Sequence, residues 1–356
     1  MHNVAVIGAS GFTGAEFLRL CANHPNLNVV IATAQTHADE LVANLFPNLA
    51  ATYGNMRFIP HNAELVDTVT EKADVVLMGL PHGHAQVLVP QLVGKVKHII
   101  DLSADFRFRN PEIYPQWYGA EHQTPHLLDK FAFGLPELFR AELAGAELVA
   151  VAGCYVTTAA LALAPLVKAK IIKPQGIIVD AASGVSGAGR TAQANTSFCT
   201  VDEDFTAYGL LNHRHTPEIQ QAIATYTQIP TQVLFTPHLA PMNRGILATC
   251  YGVLNDTKAT TQSALECLAQ TYANEPFVVV DERLPSTKAT LGSNTVHLSA
   301  RVDERTQTVI TIGALDNLVK GASGQGIQCA NLALGLLERT GLPQAGLFGW
   351  ESSIDA

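Results

Sequence analysis

The feature that most constrains the fold lies at the start of the chain. Asn3 to Ile7 (NVAVI) is a short apolar run, followed at once by GASGFTG, Gly8 to Gly14, and then by helical periodicity from Ala15 to Cys21. Strand, glycine turn and helix in that order open a βαβ unit, whose parallel strands are buried on both faces. Gly8 allows the tight turn, Gly11 lets the backbone approach a pyrophosphate, and Gly14 lets the helix pack close on the sheet. A glycine-rich turn can also exist without a ligand. The strand before it and the helix after it favour an anion-binding turn, with Ser10, Phe12 and Thr13 beside the glycines.

Three more apolar runs extend the same pattern: Asn28 to Ala32, Asp74 to Met78 and His98 to Leu102. The tip of the second strand reads Thr33-Ala34-Gln35-Thr36-His37, with no carboxylate before Asp39 and Glu40. A site for NAD usually carries an Asp or Glu there for the ribose 2′-OH. Thr33 and Thr36 could instead accept a 2′-phosphate, so NADP is expected, although no arginine stands at the tip. After the third strand comes Leu80-Pro81-His82-Gly83-His84, where Pro81 and His82 are expected beside the cofactor. His82 and His84 could be read as metal ligands, but no third ligand has a telling spacing, and no metal is expected. After the fourth strand, Ser103 and Arg107 are expected on the substrate side. Arg107 is read either as a clamp for carboxylate or phosphate or as a surface ion pair with Asp105. Residues 108 to 146, with Pro111, Pro115, Pro125 and Pro136 among aromatics, read as a long loop over the surface.

Leu148 to Val151 reads as a buried strand broken by Gly153, with a helix from Thr157, which leaves Cys154 at the turn. A thiol at a helix N-terminus has a lowered pKa and is a candidate nucleophile. The alternative is a buried cysteine acting as a small hydrophobe.

The second half changes character. Gly176 to Ala182 reads as a strand leading into Ser183-Gly184-Val185-Ser186-Gly187, small residues that suit close approach to an oxyanion or phosphate. Asn212-His213-Arg214-His215-Thr216-Pro217-Glu218 is a dense polar cluster, with Pro217 in the first turn of a helix to about Tyr226. A histidine here is a natural general acid/base, and Arg214 a candidate substrate anchor. Thr231–Phe235, Gly245–Leu254, Phe277–Val280, Thr295–Val302 and Val309–Gly313 read as strands of a mixed or antiparallel sheet, with a helix at Thr260–Tyr272. Asp316 to Gln325 opens a last helix to about Leu337, in which Gly321, Gly324 and Gly326 each cost roughly 1 kcal/mol against Ala unless a close approach requires them.

The expected class is therefore α/β. A Rossmann-type dinucleotide-binding domain over residues 1–150, completed by 316–356, joins an α+β catalytic and dimerisation domain over 151–315 with a mixed sheet. The 356 residues carry a net charge of −9, which disfavours nucleic acid and anionic membranes as partners. No apolar run approaches the ~20 residues of a membrane span. The six cysteines have no metal or disulfide spacing, and the first strand begins within three residues of Met1, so a cytoplasmic chain is expected.

GASGFTG, LPHGHA, DLSADFR, AGCYVTTAALALAP, ASGVSGAGR, HRHTPEI, FTPHLAPMNRGI and DNLVKGASGQ follow one another across nearly the whole chain. In this combination the sequence closely resembles the N-acetyl-γ-glutamyl-phosphate reductases of arginine biosynthesis, relatives of the aspartate-semialdehyde dehydrogenases. The resemblance implies NADPH-dependent reduction of a small acyl phosphate to a semialdehyde with release of phosphate. It implies Cys154 as nucleophile and His213 or His215 as acid/base, His215 being favoured because Glu218 could orient it. It also implies cofactor-side contacts at Ser183, Gly187 and Asn317, a substrate contact at Ser186, and a homo-oligomer. Aspartyl phosphate or N-acetyl-α-aminoadipyl phosphate are the alternative substrates, and a non-catalytic NADP-sensing module is the alternative class. One departure stands out: Ala152 and Val156 occupy positions where the family commonly has proline.

Overall fold

A computed structural model describes residues 1–348; the end of the expected 316–356 segment, 349–356, lies outside the described residues. The chain forms two compact units. The first comprises Met1–Ala152 with Ala322–Leu342, and the second Gly153–Gly321 with residues 343–348.

The first unit is built on six parallel strands: β1 (His2–Ile7), β2 (Leu27–Ala32), β3 (Val75–Met78), β4 (His98–Asp101), β5 (Ala132–Gly134) and β6 (Leu148–Val151). They run in the order β2-β1-β3-β4-β6-β5. Val4 to Ile7 and Val75 to Met78 are wholly buried, as two-sided burial in a parallel sheet requires. The crossovers include α1 (Phe12–Cys21), α2 (Leu65–Lys72) and α3 (Ala85–Leu92). The strand order reverses at β1 and β3, so the Gly8–Gly14 turn and the Leu80–His84 loop both leave strand C-termini at the switch point, where such sheets bind ligands.

Residues 108–146 correct the expectation of a surface loop. They contain α4 (Ile113–Tyr118), a 3-10 turn (Pro125–Lys130), the edge strand β5 and α5 (Pro136–Leu143). Phe108, Tyr114, Leu128 and Phe131 enter the core, and Phe131 stacks on Phe106 at 4.3 Å. The prolines that suggested a loop open elements instead: Pro136 starts α5 and Pro125 the 3-10 turn. A three-residue strand is too short to leave a period in the sequence.

The second unit is a seven-stranded mixed sheet in the order β11-β12-β13-β10-β7-β9-β8. Its strands are β7 (Ile177–Gly184), β8 (Thr206–Ala207), β9 (Val233–Ala240), β10 (Ile246–Val253), β11 (Val278–Val280), β12 (Val296–Asp303) and β13 (Thr308–Leu315). Its longer helices are α6 (Cys154–Lys168), α7 (His215–Thr227) and α8 (Thr261–Thr271). Tyr155 to Val167 are all buried, which explains why α6 has no polar face.

Two helix starts differ from expectation. α6 begins at Cys154 rather than Thr157, because Gly153 is extended (φ −65°, ψ 153°) and its carbonyl already accepts the Thr157 N–H at 2.8 Å. The last helix is preceded by a π-helical turn, Val319–Ser323, and its regular part, Gly324–Ala333, stops short of Leu337. The glycines there meet close neighbours. A Cβ at Gly321 would lie 2.8 Å from the Cys154 Cβ, and one at Gly326 2.9 Å from the Phe17 ring. Ala152 also has a reason: its N–H donates to the Gly134 carbonyl at 3.2 Å, a bond a proline could not make. Nothing in the structure explains Val156.

Candidate active site

Cys154 is the first residue of α6 and is partly exposed. The first N–H groups of a helix have no intrahelical acceptor, so this position favours an anionic sulfur and offers donors to a developing oxyanion. Gly321 packs against its Cβ side, so the π-turn forms one wall beside the thiol. π-turns of this kind recur at functional sites.

α7 brings two of the expected residues, His215 and Glu218, to the same place. Glu218, wholly buried, accepts the Gly153 N–H at 2.8 Å and so fixes the backbone immediately before the cysteine. His215 turns the Nε2 edge of its ring toward Gly153. A Cβ on Gly153 would lie 2.8 and 2.9 Å from Cε1 and Cδ2, with Nε2 nearer still. Glycine is therefore required there by the histidine and not by backbone conformation.

His213 has a different environment. Its Nδ1 accepts the His215 N–H at 3.1 Å, capping α7, and its ring sits among Tyr208 (5.5 Å), Phe235 (5.2 Å) and Tyr155 (5.8 Å). Burial, and then the charge of Arg214, push its pKa down to about 4, so it is neutral near pH 7. Tyr208 donates to the Tyr155 hydroxyl at 3.2 Å, and Tyr155 to the His238 carbonyl at 3.1 Å. Burial raises both phenols, Tyr208 to about 12. Arg214 itself is exposed.

The loop after β7 is stitched to the end of β13. Asn317 accepts the Gly245 N–H at 2.7 Å and donates to the Ser186 hydroxyl at 3.0 Å. Ser183 is buried and donates to the Gly184 carbonyl, while Gly187 is exposed. Sequence reasoning gave no role to Arg244, whose Nε lies 3.4 Å from Asp316 Oδ1. Asp316, wholly buried, also accepts the N–H groups of Gly292, Leu318 and Val319. The signal was a carboxylate and a guanidinium inside otherwise apolar, small-residue segments.

In the first unit the glycine turn has the shape a pyrophosphate needs. A Cβ at Gly8 would lie 2.5 Å from the Gly79 carbonyl, and one at Gly14 2.5 Å from Ala9 Cα. At Gly11, beside the N-terminus of α1, a Cβ would meet only the Gly8 carbonyl, at 3.5 Å, so the ligand side is open. Ser10, Phe12 and Thr13 are part-exposed on this turn, and Pro81 and Thr36 are exposed at neighbouring strand ends. Thr33, by contrast, is wholly buried. Its hydroxyl accepts the Gly8 N–H at 3.1 Å and lies 2.7 Å from His61 Nε2, so it braces the turn from beneath.

Asp105 is wholly buried and pairs with His82 Nδ1 at 2.5 Å, while accepting the N–H groups of Gly83, Ala85 and Gln86. Burial opposes its charge, but the His82 and backbone donors outweigh this and hold the carboxyl below the usual range. Arg107 does not lie on the surface. It is buried, and its Nη2 donates to the Leu102 carbonyl at 2.7 Å. Ser103 is buried as well, its hydroxyl donating to Asp101 at 2.6 Å.

Known proteins carry the same plan. Residues 3–146 match the semialdehyde dehydrogenase NAD binding domain, and residues 154–317 the semialdehyde dehydrogenase dimerisation domain. The first unit is thus a nicotinamide-dinucleotide-binding domain. The structure of aspartate semialdehyde dehydrogenase II from Vibrio cholerae superposes with a TM-score of 0.69 at 17% identity, covering 94% of this chain and 99% of that one. The N-acetyl-gamma-glutamyl-phosphate reductase of Geobacter sulfurreducens is 47% identical over 345 residues (96% of this chain, 98% of that protein). That of Acetivibrio thermocellus is 43% identical over 350 residues, 98% of this chain and 100% of that protein. The chain belongs to the N-acetyl-γ-glutamyl-phosphate reductase family, within the semialdehyde dehydrogenases.

Proposed function

We propose that the chain reduces N-acetyl-L-glutamyl 5-phosphate to N-acetyl-L-glutamate 5-semialdehyde, using NADPH and releasing phosphate. The observation that carries this reading is Cys154 at the start of α6, with the Nε2 edge of His215 against Gly153 and Glu218 holding the Gly153 N–H. Family membership supplies the substrate class.

In this reading His215 takes the thiol proton, and the Cys154 thiolate attacks the acyl-phosphate carbon. The carbon–oxygen bond to phosphate breaks, phosphate leaves with the bonding pair, and a thioester remains on Cys154. A reduced nicotinamide supplies the hydride that brings the acyl carbon to the aldehyde level. His215 protonates the resulting oxyanion and takes the proton back as the C–S bond breaks, returning Sγ as thiolate. N–H groups at the start of α6 stabilise the oxyanion in both steps. His213 stays neutral and holds the α7 start in place. Arg244, oriented by Asp316, and Arg214 serve as anchors for phosphate and carboxylate. Gly8, Gly11 and Gly14 hold the pyrophosphate, with Ser10, Phe12, Thr13, Pro81 and His82 around it.

The exposed Ile178, Leu234, Val253 and Val279 leave an apolar face on the seven-stranded sheet, which supports a homo-oligomer joined there. No helix among the described residues is long and apolar enough to cross a membrane, and none of the six cysteines is in a disulfide, which favours a cytoplasmic enzyme.

Phosphate-dependent oxidation of N-acetylglutamate semialdehyde with NADP, run beside aspartate semialdehyde, tests the assignment. Preference for the acetylated substrate is expected, and preference for aspartate semialdehyde would overturn it. Cys154→Ser should abolish turnover while NADPH binding stays near normal; equal loss of both in a folded variant would remove Cys154 from the nucleophile role.

A further inference from the structure

Beside the tip of β2 the first unit holds a cavity of about 440 Å³. His61 and Leu65 line one wall, and Leu80, His82, His84 and Leu88 the other. His61 joins this cavity to the β2 tip: its Nε2 lies 2.7 Å from Thr33 Oγ1, and its backbone N–H donates to Gln35 Oε1 at 3.2 Å. In a fold of this type the end of the second strand reads the adenosine ribose, a carboxylate selecting the free 2′-OH and an arginine the 2′-phosphate. This chain has neither residue at Thr33 to His37. Among the described residues lining the cavity there is also no lysine or arginine. The leucines suit a purine ring. The imidazoles are the only groups there that can become cationic.

We propose that His61, with His84 opposite, is the residue that discriminates between the two nicotinamide cofactors, binding the 2′-phosphate of NADPH as imidazolium so that the preference over NADH rises as pH falls. The proposal rests on the reading of NADPH as the cofactor.

The surroundings of His61 fit this role. Burial, and then the nearness of His84, lower its pKa, so without ligand it is neutral at slightly alkaline pH. A phosphate dianion reverses that balance and draws a proton onto the ring. Across the cavity His82 is committed to Asp105. On its own segment Glu64 is exposed, and at the β2 tip His37 pairs with Glu40 at 3.2 Å. No carboxylate lines the cavity among the described residues, so nothing there offsets the proton before the phosphate arrives.

The test uses the full chain, with NADPH and NADH titrated by fluorescence between pH 8.5 and 6.5. This window stays above the second ionisation of a phosphate monoester near ~6. The ratio of the NADH to the NADPH dissociation constant should rise several-fold per pH unit as pH falls, up to about tenfold for one proton taken up. In His61→Gln, checked for folding by its thermal unfolding, the ratio should be small and flat. A strong NADPH preference that ignores pH in the native chain, or that survives in His61→Gln, overturns the role of His61 and leaves NADPH as cofactor. Equal affinity for NADH and NADPH at every pH overturns both. A flat native pH series overturns the proposal even if His61→Gln does not fold, and His84→Gln, which should keep the pH dependence, then separates the two imidazoles.

Discussion

Gly153→Ala is a sharp perturbation because it adds one methyl group at a point where geometry isolates its effect. The backbone there (φ −65°, ψ 153°) is open to alanine, so no conformational strain arises. The N–H that Glu218 accepts is retained. The new Cβ would fall 2.8 Å from His215 Cε1 and 2.9 Å from Cδ2, well inside van der Waals contact. The imidazole is the end of a side chain and can swing aside, so the stability loss should sit at the low end of overpacking, about 1 kcal/mol, and lower Tm by only a few degrees. Catalysis should suffer far more. Moving a general acid/base by about 1 Å costs on the order of 10²-fold, or ~2.7 kcal/mol of barrier. Steady-state reduction should therefore show kcat down about a hundredfold, with NADPH affinity unchanged. A double-mutant cycle isolates the cause. In a His215→Ala background the added methyl has no ring to displace, so Gly153→Ala should change kcat by less than about threefold. If Gly153→Ala alone keeps near-native kcat, or loses as much without His215, the placement of His215 as acid/base is wrong.

Other changes test the supporting contacts. His213, neutral with a pKa near 4 in the fold against an ordinary 6.5, lets the unfolded chain bind a proton the native chain does not, so stability should be intact above about pH 6.5 and fall by about 3 kcal/mol toward pH 4. Urea midpoints across this range should show the slope, and His213→Asn, which keeps an acceptor for the His215 N–H, should flatten it. Asp105→Asn removes the charge that answers His82 and three backbone donors, and should cost about 3 kcal/mol in denaturant unfolding. Asn317→Ala leaves the Gly245 N–H buried without its acceptor and should lower stability by ~2 kcal/mol, read as a fall in the urea midpoint at unchanged slope.

The parts of the fold that could be read from the chain are those whose physics is local. A strand buried on both faces must be apolar at every position, and NVAVI or LVAV can hardly be anything else between turn signals. Gly8, Gly11 and Gly14 announce a turn because no other residue has their reach of conformation and lack of bulk. Cys154 was legible for the same reason, being one residue beyond a strand and a glycine. Residues 108–146 failed because their elements are short and begin on prolines, so composition spoke for a loop while aromatic burial decided otherwise.

The site's partners are a different matter, because each is made across a distance that no local pattern spans. Glu218 reaches Gly153 across 65 residues, Asn317 reaches Ser186 across 131, and His61 reaches Thr33 across 28. The sequence offered Glu218 as an orienter of His215 and Asn317 as a cofactor-side contact, without the bonds to Gly153, Gly245 and Ser186, and gave no role to His61 or Arg244. Thr33 shows how the difference bears on function. From the sequence it stood at the strand tip as a phosphate acceptor, yet its hydroxyl is spent beneath the glycine turn on Gly8 and His61. On the proposal that His61 reads the cofactor's ribose, Thr33 acts on binding through the neighbour it orients and not by its position at the strand tip.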